Sequence, residues 1–256
     1  MLTVTPIQAF SDNYIWCLRQ PDTAQAFVVD PGDGSAVLAA LQEQQLELAG
    51  VLITHHHFDH TGGLDTLLKH RSVPVYGPAN PAIGQISQRL EEGDVITVLG
   101  SEFQVLEVPG HTLDHIAFYS SAEQALFCGD TLFAGGCGRL FEGNPGMMHN
   151  SLAKLAALPG DTRVYCAHEY TLSNLKFAAA VEPANARLSD RISRDQATRA
   201  QNLPTVPSVL SLELATNPFL RSDDPGLAEH MQQREGVDAT DPVAVFAAVR
   251  AWKDNF

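Results

Sequence analysis

The sequence predicts a layered α/β protein that continues into a helical segment, and two observations predict it. From residue 2 to about 168, short β-like runs alternate with turn signals, and helical stretches interrupt them roughly every 20 to 30 residues. After about Tyr170 the β-like runs stop and helical spacing takes over. The boundary therefore falls between residues 1–170 and 171–256. The pattern leaves open whether the sheets are parallel or antiparallel.

TVTPI, YIWCLRQ and QAFVVD read as the first strands, followed by DPGDG, a turn of Pro, Gly and Asp. SAVLAALQEQQ reads as a helix with Ser35 as its N-cap. GVLIT is a buried strand that runs into THHHFDH, then helix-like GGLDTLLKH and strand-like VPVYG follow. VITVL, FQVLEV, HIAFYS, QALFCG and RVYCA are further strands, with a helix over HNSLAKLAAL before the last. In the tail, NLKFAAAVE, SDRISRDQATRAQN and PSVLSLELAT are helical, and DPVAVFAAVRAWKDNF opens with Asp241 as N-cap and Pro242 at the first helical position.

The 256 residues suffice to bury a real core. No apolar run approaches the ~20 residues of a membrane helix. The N-terminal stretch lacks a basic region followed by an apolar one, which favours the cytoplasm. Cys17, Cys128, Cys137 and Cys166 have no CxxC spacing and read as reduced thiols. A net charge of −14 without a Lys/Arg cluster argues against nucleic acid as a partner.

Residues 54–60, THHHFDH, carry four histidines and an aspartate between a strand and a helix entry, where α/β proteins place their chemistry. Alternate residues of an extended segment share a face, so His55 and His57 point one way and His56 the other. Asp59 and His60 come after the chain has begun to turn and approach from another side. His111 in EVPGHTLDH, Asp130 in FCGDTLF and His168 in YCAHEY each stand just beyond a β-like run. A lone histidine after a strand is more often a core or surface residue, so His111 and His168 draw their significance from the motif. Seven candidates exceed the three or so protein ligands of one catalytic zinc. They fit two ions sharing a carboxylate, roughly 3.5 Å apart. His56, His70, His149 and His230 are assigned no metal role; His115, four residues after His111, is placed beside the site rather than on the metal.

These residues carry a family resemblance. THHHFDH with the later GH, GD and H resembles the metallo-β-lactamase superfamily and, within it, the hydroxyacylglutathione hydrolases (glyoxalase II). The resemblance runs nearly full length through DNYIW, VDPGD, THHHFDHTGG, PGHT, FCGDTLFAGGCGRLFEG, AHEYTLSNLKFA, NPFLR and RAWKDNF. It implies an αββα sandwich, residues 1–170, followed by an α-helical glutathione-binding domain, residues 171–256. It implies that His55, His57 and His111 hold one metal ion, that Asp59, His60 and His168 hold the other, and that Asp130 and a hydroxide bridge them. Glutathione would be held by Arg139, Phe141, Tyr170, Arg250 and Lys253. Three departures stand out: Arg139 where many relatives have Lys, Phe141 where some have Tyr, and Asp114 where relatives often have Gly.

The implied reaction is hydrolysis of S-(2-hydroxyacyl)glutathione, usually S-D-lactoylglutathione, to a 2-hydroxy acid and glutathione by a cytoplasmic monomer. Two metals bring the pKa of their shared water from ~15.7 towards ~7. A thiol of pKa ~8.5 leaves as thiolate without a strong general acid. Five neutral imidazoles, two carboxylates and a hydroxide around two divalent ions leave a small local positive charge. Screening beyond about 8 Å lets that local field outweigh the acidic surface for an anionic substrate. His and Asp ligands suit Zn²⁺, Fe and Mn²⁺ alike, with zinc the expectation. The competing readings are a mono-iron glutathione persulfide dioxygenase on the same scaffold and a non-enzymatic zinc module, which would have a closed site.

Overall fold

The structure, a computed structural model, describes residues 1–256. Its contacts define two compact units: one of residues 1–107, 114–129 and 165–168, the other of 108–113, 130–164 and 169–256.

The first unit is built on a six-stranded sheet of β1 (Thr3–Ala9), β2 (Asn13–Arg19), β3 (Gln25–Val29), β4 (Glu47–Leu52), β5 (Val75–Pro78) and β6 (Gln88–Leu90), in that order. It is mixed, antiparallel over β1–β2–β3 and parallel from β3 to β6. Helices cover two of the three parallel crossovers: α1 (Gly34–Glu43) joins β3 to β4, and the single turn α2 (Phe58–Thr61) with α3 (Leu64–His70) joins β4 to β5, while β5 passes to β6 without a helix. Strand alternation explains the near-continuous burial of β2. Ile15 and Cys17 pack with Val28, Val51 and Ile53 against Val37, Leu41, Leu64 and Leu67 of the helices. Trp16 points the other way, edge-on to Tyr165 at 4.9 Å, with its indole N–H donating to the Cys166 carbonyl.

Tyr165 in turn stacks on Phe127 at 4.8 Å. Phe127 belongs to an antiparallel set, β7 (Val95–Val98), β8 (Ser101–Glu107), β9 (Ile116–Ser120) and β10 (Ala125–Gly129). The first unit thus layers helices, a mixed sheet and an antiparallel sheet.

The second unit holds the two-residue hairpin strands β11 (Leu132–Phe133) and β12 (Gly136–Cys137), α4 (Pro145–Ala156) and the start of β13 (Arg163–Cys166). It continues with α5 (Thr171–Val181), α6 (Ala186–Ala200), β14 (Ser208–Val209), α7 (Leu210–Thr216), α8 (Pro225–Glu235) and α9 (Pro242–Asp254). Asp241 caps α9 and Pro242 opens it, as the sequence predicts.

Three local expectations need correcting. The N-cap of α1 is Asp33, not Ser35: its carboxylate accepts from the Ser35 and Ala36 N–H groups, because the helix already begins at Gly34. The tail is not free of strand, since Ser208–Val209 pairs with Arg163–Val164. Helix α8, unread in the sequence, has an Asp224 cap, Pro225 at its first turn and left-handed Gly236 at its end. No helix is long and apolar enough to cross a membrane.

Candidate metal centre

In the first unit the chain leaves β4 and runs extended through residues 53–57 before turning into α2. Thr54 anchors this passage. Its N–H and hydroxyl both donate to the Asp30 carboxylate, each at 2.8 Å. With that proton committed, the Thr54 oxygen accepts from His55 Nδ1, 3.1 Å away. Asp30 also lies 3.1 Å from His60 Nδ1 through Oδ2, so one buried carboxylate sets two parts of the motif. The backbone N–H groups of His60 and Thr61 close the turn onto the His57 carbonyl at 3.0 and 3.1 Å, presenting Asp59 and His60.

His168 reaches the same place from the end of β13. Its backbone forms a bridge with Asn13, and its Nδ1 lies 2.8 Å from Asp12. Its Nε2 is 3.5 Å from Asp59 Oδ2, and His60 Nε2 is also 3.5 Å from that oxygen. Asn13 donates to Asp59 Oδ2 at 3.0 Å. Asp59, His60 and His168 therefore converge, with ligand atoms within 4.8 Å of one another.

The tautomers follow from the acceptors. A carboxylate, or a hydroxyl already donating elsewhere, can only accept from the imidazole nitrogen beside it. His55 and His168 therefore carry their proton on Nδ1, which makes Nε2 the lone-pair nitrogen of each ring. Two imidazoles and a carboxylate form a donor set that fits a divalent ion. The His55 ring lies 4.7 Å from His57 and 4.1 Å from His60, and His115 stacks on it at 4.6 Å and 16°. His56 turns elsewhere: its Nδ1 meets Asp114 at 2.8 Å, and Asn80 donates to the other Asp114 oxygen at 2.7 Å. Asp114 thus pins the residue between two predicted ligands.

In the second unit, buried His111 donates from Nδ1 to the Arg139 backbone carbonyl at 2.7 Å. That again leaves Nε2 as the lone-pair nitrogen, 3.4 Å from Asp130 Oδ2. The Phe141 ring stands edge-on to His111 at 5.3 Å. Gly138 allows this approach, because a Cβ there would lie 2.0 Å from the Asp130 carbonyl oxygen.

The predicted glutathione contacts also belong to this unit and have varied surroundings. The Arg139 side chain is mostly exposed, with its guanidinium 5.8 Å from the Phe141 ring centre. Tyr170 stands edge-on to Phe133 at 5.4 Å. Arg250 and Lys253, three apart on α9, have different hydrogen-bond partners. Arg250 is only 6% exposed and donates to the Cys137 carbonyl at 3.2 Å and to Asp254 at 3.0 Å. Lys253 donates to the Ser173 carbonyl at 3.4 Å and lies 5.2 Å from the Phe177 ring centre. Burial, and then the neighbouring Arg250 charge, lower the Lys253 pKa. Burial pushes the Cys137 thiol up to about 11, which keeps it protonated and inert.

Sequence reasoning missed Asp12, Asn13, Asp30 and Thr54, the outer partners of the predicted ligands. The signal for the first three lay in DNYIW and VDPGD, which accompanied the resemblance without roles of their own, and Thr54 opens THHHFDH itself.

Comparison with known proteins bears on this arrangement. Residues 13–168 match the Metallo-beta-lactamase superfamily, and residues 169–256 match Hydroxyacylglutathione hydrolase C-terminus. Hydroxyacylglutathione hydrolase of Ectopseudomonas mendocina (strain ymp) is 52% identical over 257 residues, covering all of both chains. The protein of that name from Nitrosomonas europaea is 49% identical over 258 residues, covering 100% of this chain and 97% of the relative. Among solved structures, TTHA1623 in a di-iron-bound form has a TM-score of 0.60 at 27% identity, covering 85% of this chain and all of the other. ETHE1 from Myxococcus xanthus has a TM-score of 0.66 at 24% identity, covering 99% and 98%, a likeness of fold. The α/β fold is that of the metallo-β-lactamases, its His and Asp groups are of the kind that hold divalent metal, and the chain belongs to the hydroxyacylglutathione hydrolase family.

Proposed function

We propose that this chain is a binuclear metal-dependent thioesterase that hydrolyses S-(2-hydroxyacyl)glutathione, with S-D-lactoylglutathione as substrate, to D-lactate and glutathione. That is the second step of methylglyoxal detoxification, carried out here by a cytoplasmic monomer. The observation that carries the reading is identity near one half across the whole chain with proteins of that name. The geometry around Asp59 supports it.

His55, His57 and His111 would hold one ion, Asp59, His60 and His168 the other, and Asp130 would bridge; zinc is the expected metal. When bound, the ions would supply a water acidic enough to attack at neutral pH and a Lewis acid for the thioester carbonyl. The chain's own residues do the rest. Asp12, Thr54 and the Arg139 carbonyl hold the His168, His55 and His111 protons on Nδ1, so these rings need not reorganise during turnover. Asp59 accepts from Asn13, which fixes one oxygen against rotation.

Residues 1–170 supply the metal-binding domain and 171–256 the helical substrate-binding domain. The tripeptide's carboxylates need cations on an acidic protein. Arg139 and Lys253 serve here: Arg250 is buried and bonded to the Cys137 carbonyl and Asp254, whereas Arg139, 3.8 Å from the same Asp254 oxygen, is mostly exposed. Phe141 and Tyr170 add aromatic surface.

The test is loss of the thioester ultraviolet absorbance of S-D-lactoylglutathione. Chelator-treated protein should be inactive, and metal-restored protein active with two metal equivalents per chain. Absence of metal-dependent turnover would overturn the proposal. Oxygen uptake with glutathione persulfide, in its place, would move the assignment to the dioxygenase.

A further inference from the structure

Residues 130–141 carry much of the second unit's chemistry, and a short hairpin sits in their middle. Asp130 lies two residues before β11, and Arg139 two residues after β12. The hairpin has only two paired positions, Leu132 with Cys137 and Phe133 with Gly136, too few to hold a conformation unaided. Its turn bends through left-handed Gly135, at φ +68°.

Side chains from the helices satisfy this turn. The Gly135 N–H donates to Glu213 Oε2 at 2.8 Å. Asn217 donates to the Phe133 and Gly136 carbonyls at 3.2 and 2.9 Å and to the same Glu213 oxygen at 3.2 Å. Asn174 donates to the Ala134 carbonyl at 3.2 Å, and its amide fills the space that a Cβ on Gly136 would need.

Glu213 is wholly buried, and its other oxygen accepts from Arg191 at 2.6 Å and from the Ser208 hydroxyl. Arg191, only 1% exposed, also donates to Asp195 at 3.2 Å and Thr216 at 2.7 Å. Burial alone would lower the Arg191 pKa, but Glu213 and Asp195 more than offset it and hold the guanidinium charged. A buried ion pair is weak ground for stability, since apolar residues of similar volume often serve as well. A carboxylate offers what they cannot, a fixed acceptor for the Gly135 N–H.

We propose that Glu213, held by Arg191 and flanked by Asn174 and Asn217, is a positioning residue. It sets the Phe133–Gly136 turn and thereby the Arg139 carbonyl that orients His111 and the Arg139 side chain that meets substrate. Downstream, the Gly138 N–H donates to the Thr131 carbonyl at 3.2 Å and the Phe141 N–H to the His111 carbonyl at 3.2 Å, which couple the turn to both ligands. The kinetic part rests on the thioesterase reading.

The variants are Glu213→Gln, which leaves one acceptor for both Gly135 and Arg191, and Asn174→Ala, which removes a single hydrogen bond. Glu182→Gln is the structural control: it weakens a second ion pair of the same unit, with Arg221 at 3.0 Å, that makes no contact with the turn. Three quantities are read on metal-loaded protein: kcat/KM with S-D-lactoylglutathione, metal retained against a competing chelator, and amide exchange of residues 132–141. The expected result for Asn174→Ala and Glu213→Gln is a fall in kcat/KM of roughly 10- to 100-fold, the scale of a small misplacement at a reacting centre. Metal retention should weaken about tenfold and exchange in 132–141 accelerate. The control should lose thermal stability and keep all three. Faster exchange in 132–141 with unchanged kcat/KM and metal retention would reduce the network to a structural role and overturn the proposal. Should Glu213→Gln fail to fold, Asn174→Ala decides alone. If the wild type shows no thioesterase activity, the functional reading fails separately, and metal retention with exchange still judges the positioning role.

Discussion

His60 and His168 in the first unit lean on the carboxylates of Asp30 and Asp12, whereas His111 in the second leans on the backbone carbonyl of Arg139. In His168 and His111 both arrangements place the proton on Nδ1, but they put control in different hands. A carboxylate partner adds negative charge, raises the basicity of the imidazole and can be altered directly by substitution. A carbonyl partner cannot be substituted. Its position depends on whatever shapes its loop, here a hairpin clamped by Glu213, Asn217 and Asn174. The first unit orients His168 by a carboxylate, the second orients His111 by backbone placement.

One feature is common to the two units and gives the largest expected effects. A Cβ on Gly32 would lie 1.8 Å from the Asp59 carbonyl oxygen, and one on Gly138 would lie 2.0 Å from that of Asp130. Neither glycine has a positive φ, so close backbone approach alone explains them. Gly32→Ala and Gly138→Ala should each cost about 3 kcal/mol, at the upper end for overpacking, because the obstructing atom is backbone and cannot rotate away. Chemical denaturation should show the loss, and each variant should bind less metal. A wild-type denaturation midpoint in either would show that its loop yields more readily than its partner's.

The next effect should separate the units. Asn tolerates the left-handed conformation that Asp30 adopts, at φ +54°, so Asp30→Asn tests the hydrogen bonds rather than the backbone. An amide cannot accept from both the Thr54 N–H and the Thr54 hydroxyl through its two ends. Metal affinity should fall about 10- to 100-fold, and Asp12→Asn should lie near the lower figure because Asp12 is partly exposed. Competition with a chromogenic chelator measures both. Equal, negligible losses would remove the distinction between orientation by charge and by backbone.

The legible parts of the sequence were those where neighbours in sequence are neighbours in space. Strand alternation, the Asp241–Pro242 helix start and the THHHFDH loop all have that local character. Helix α8 carries the same start signal in Asp224–Pro225, but a polar run with few apolar positions concealed it. The Asp33 cap was displaced by two residues because Ser35 has the same capping chemistry. The outer partners were hidden by distance along the chain. Asp12 meets His168 across 156 residues, and Glu213 meets Gly135 across 78. A polar residue's type shows what it can bond, and only the fold selects which partner it reaches.

The smallest effect sharpens the view of the second unit by dividing its cations. Arg250 belongs to the scaffold, bonded to the Cys137 carbonyl and Asp254, so Arg250→Met should destabilise by about 2 kcal/mol, as expected for buried bonds to a charged group. Lys253→Met should instead raise KM about fivefold, roughly 1 kcal/mol of one partly exposed charge contact, with little change in kcat. Its stability should not fall. Burial holds the folded-state Lys253 pKa below its unfolded value, so the charged amine opposes folding, and that opposition fades as pH rises from the folded pKa to the unfolded one. The variant should therefore match or slightly exceed wild-type stability at neutral pH, with the gap closing in alkali. Thermal unfolding across that range, set beside KM for both variants, makes the division. Equal losses of stability in both would place Lys253 in the scaffold with Arg250 and leave Arg139 as the one cation available to substrate.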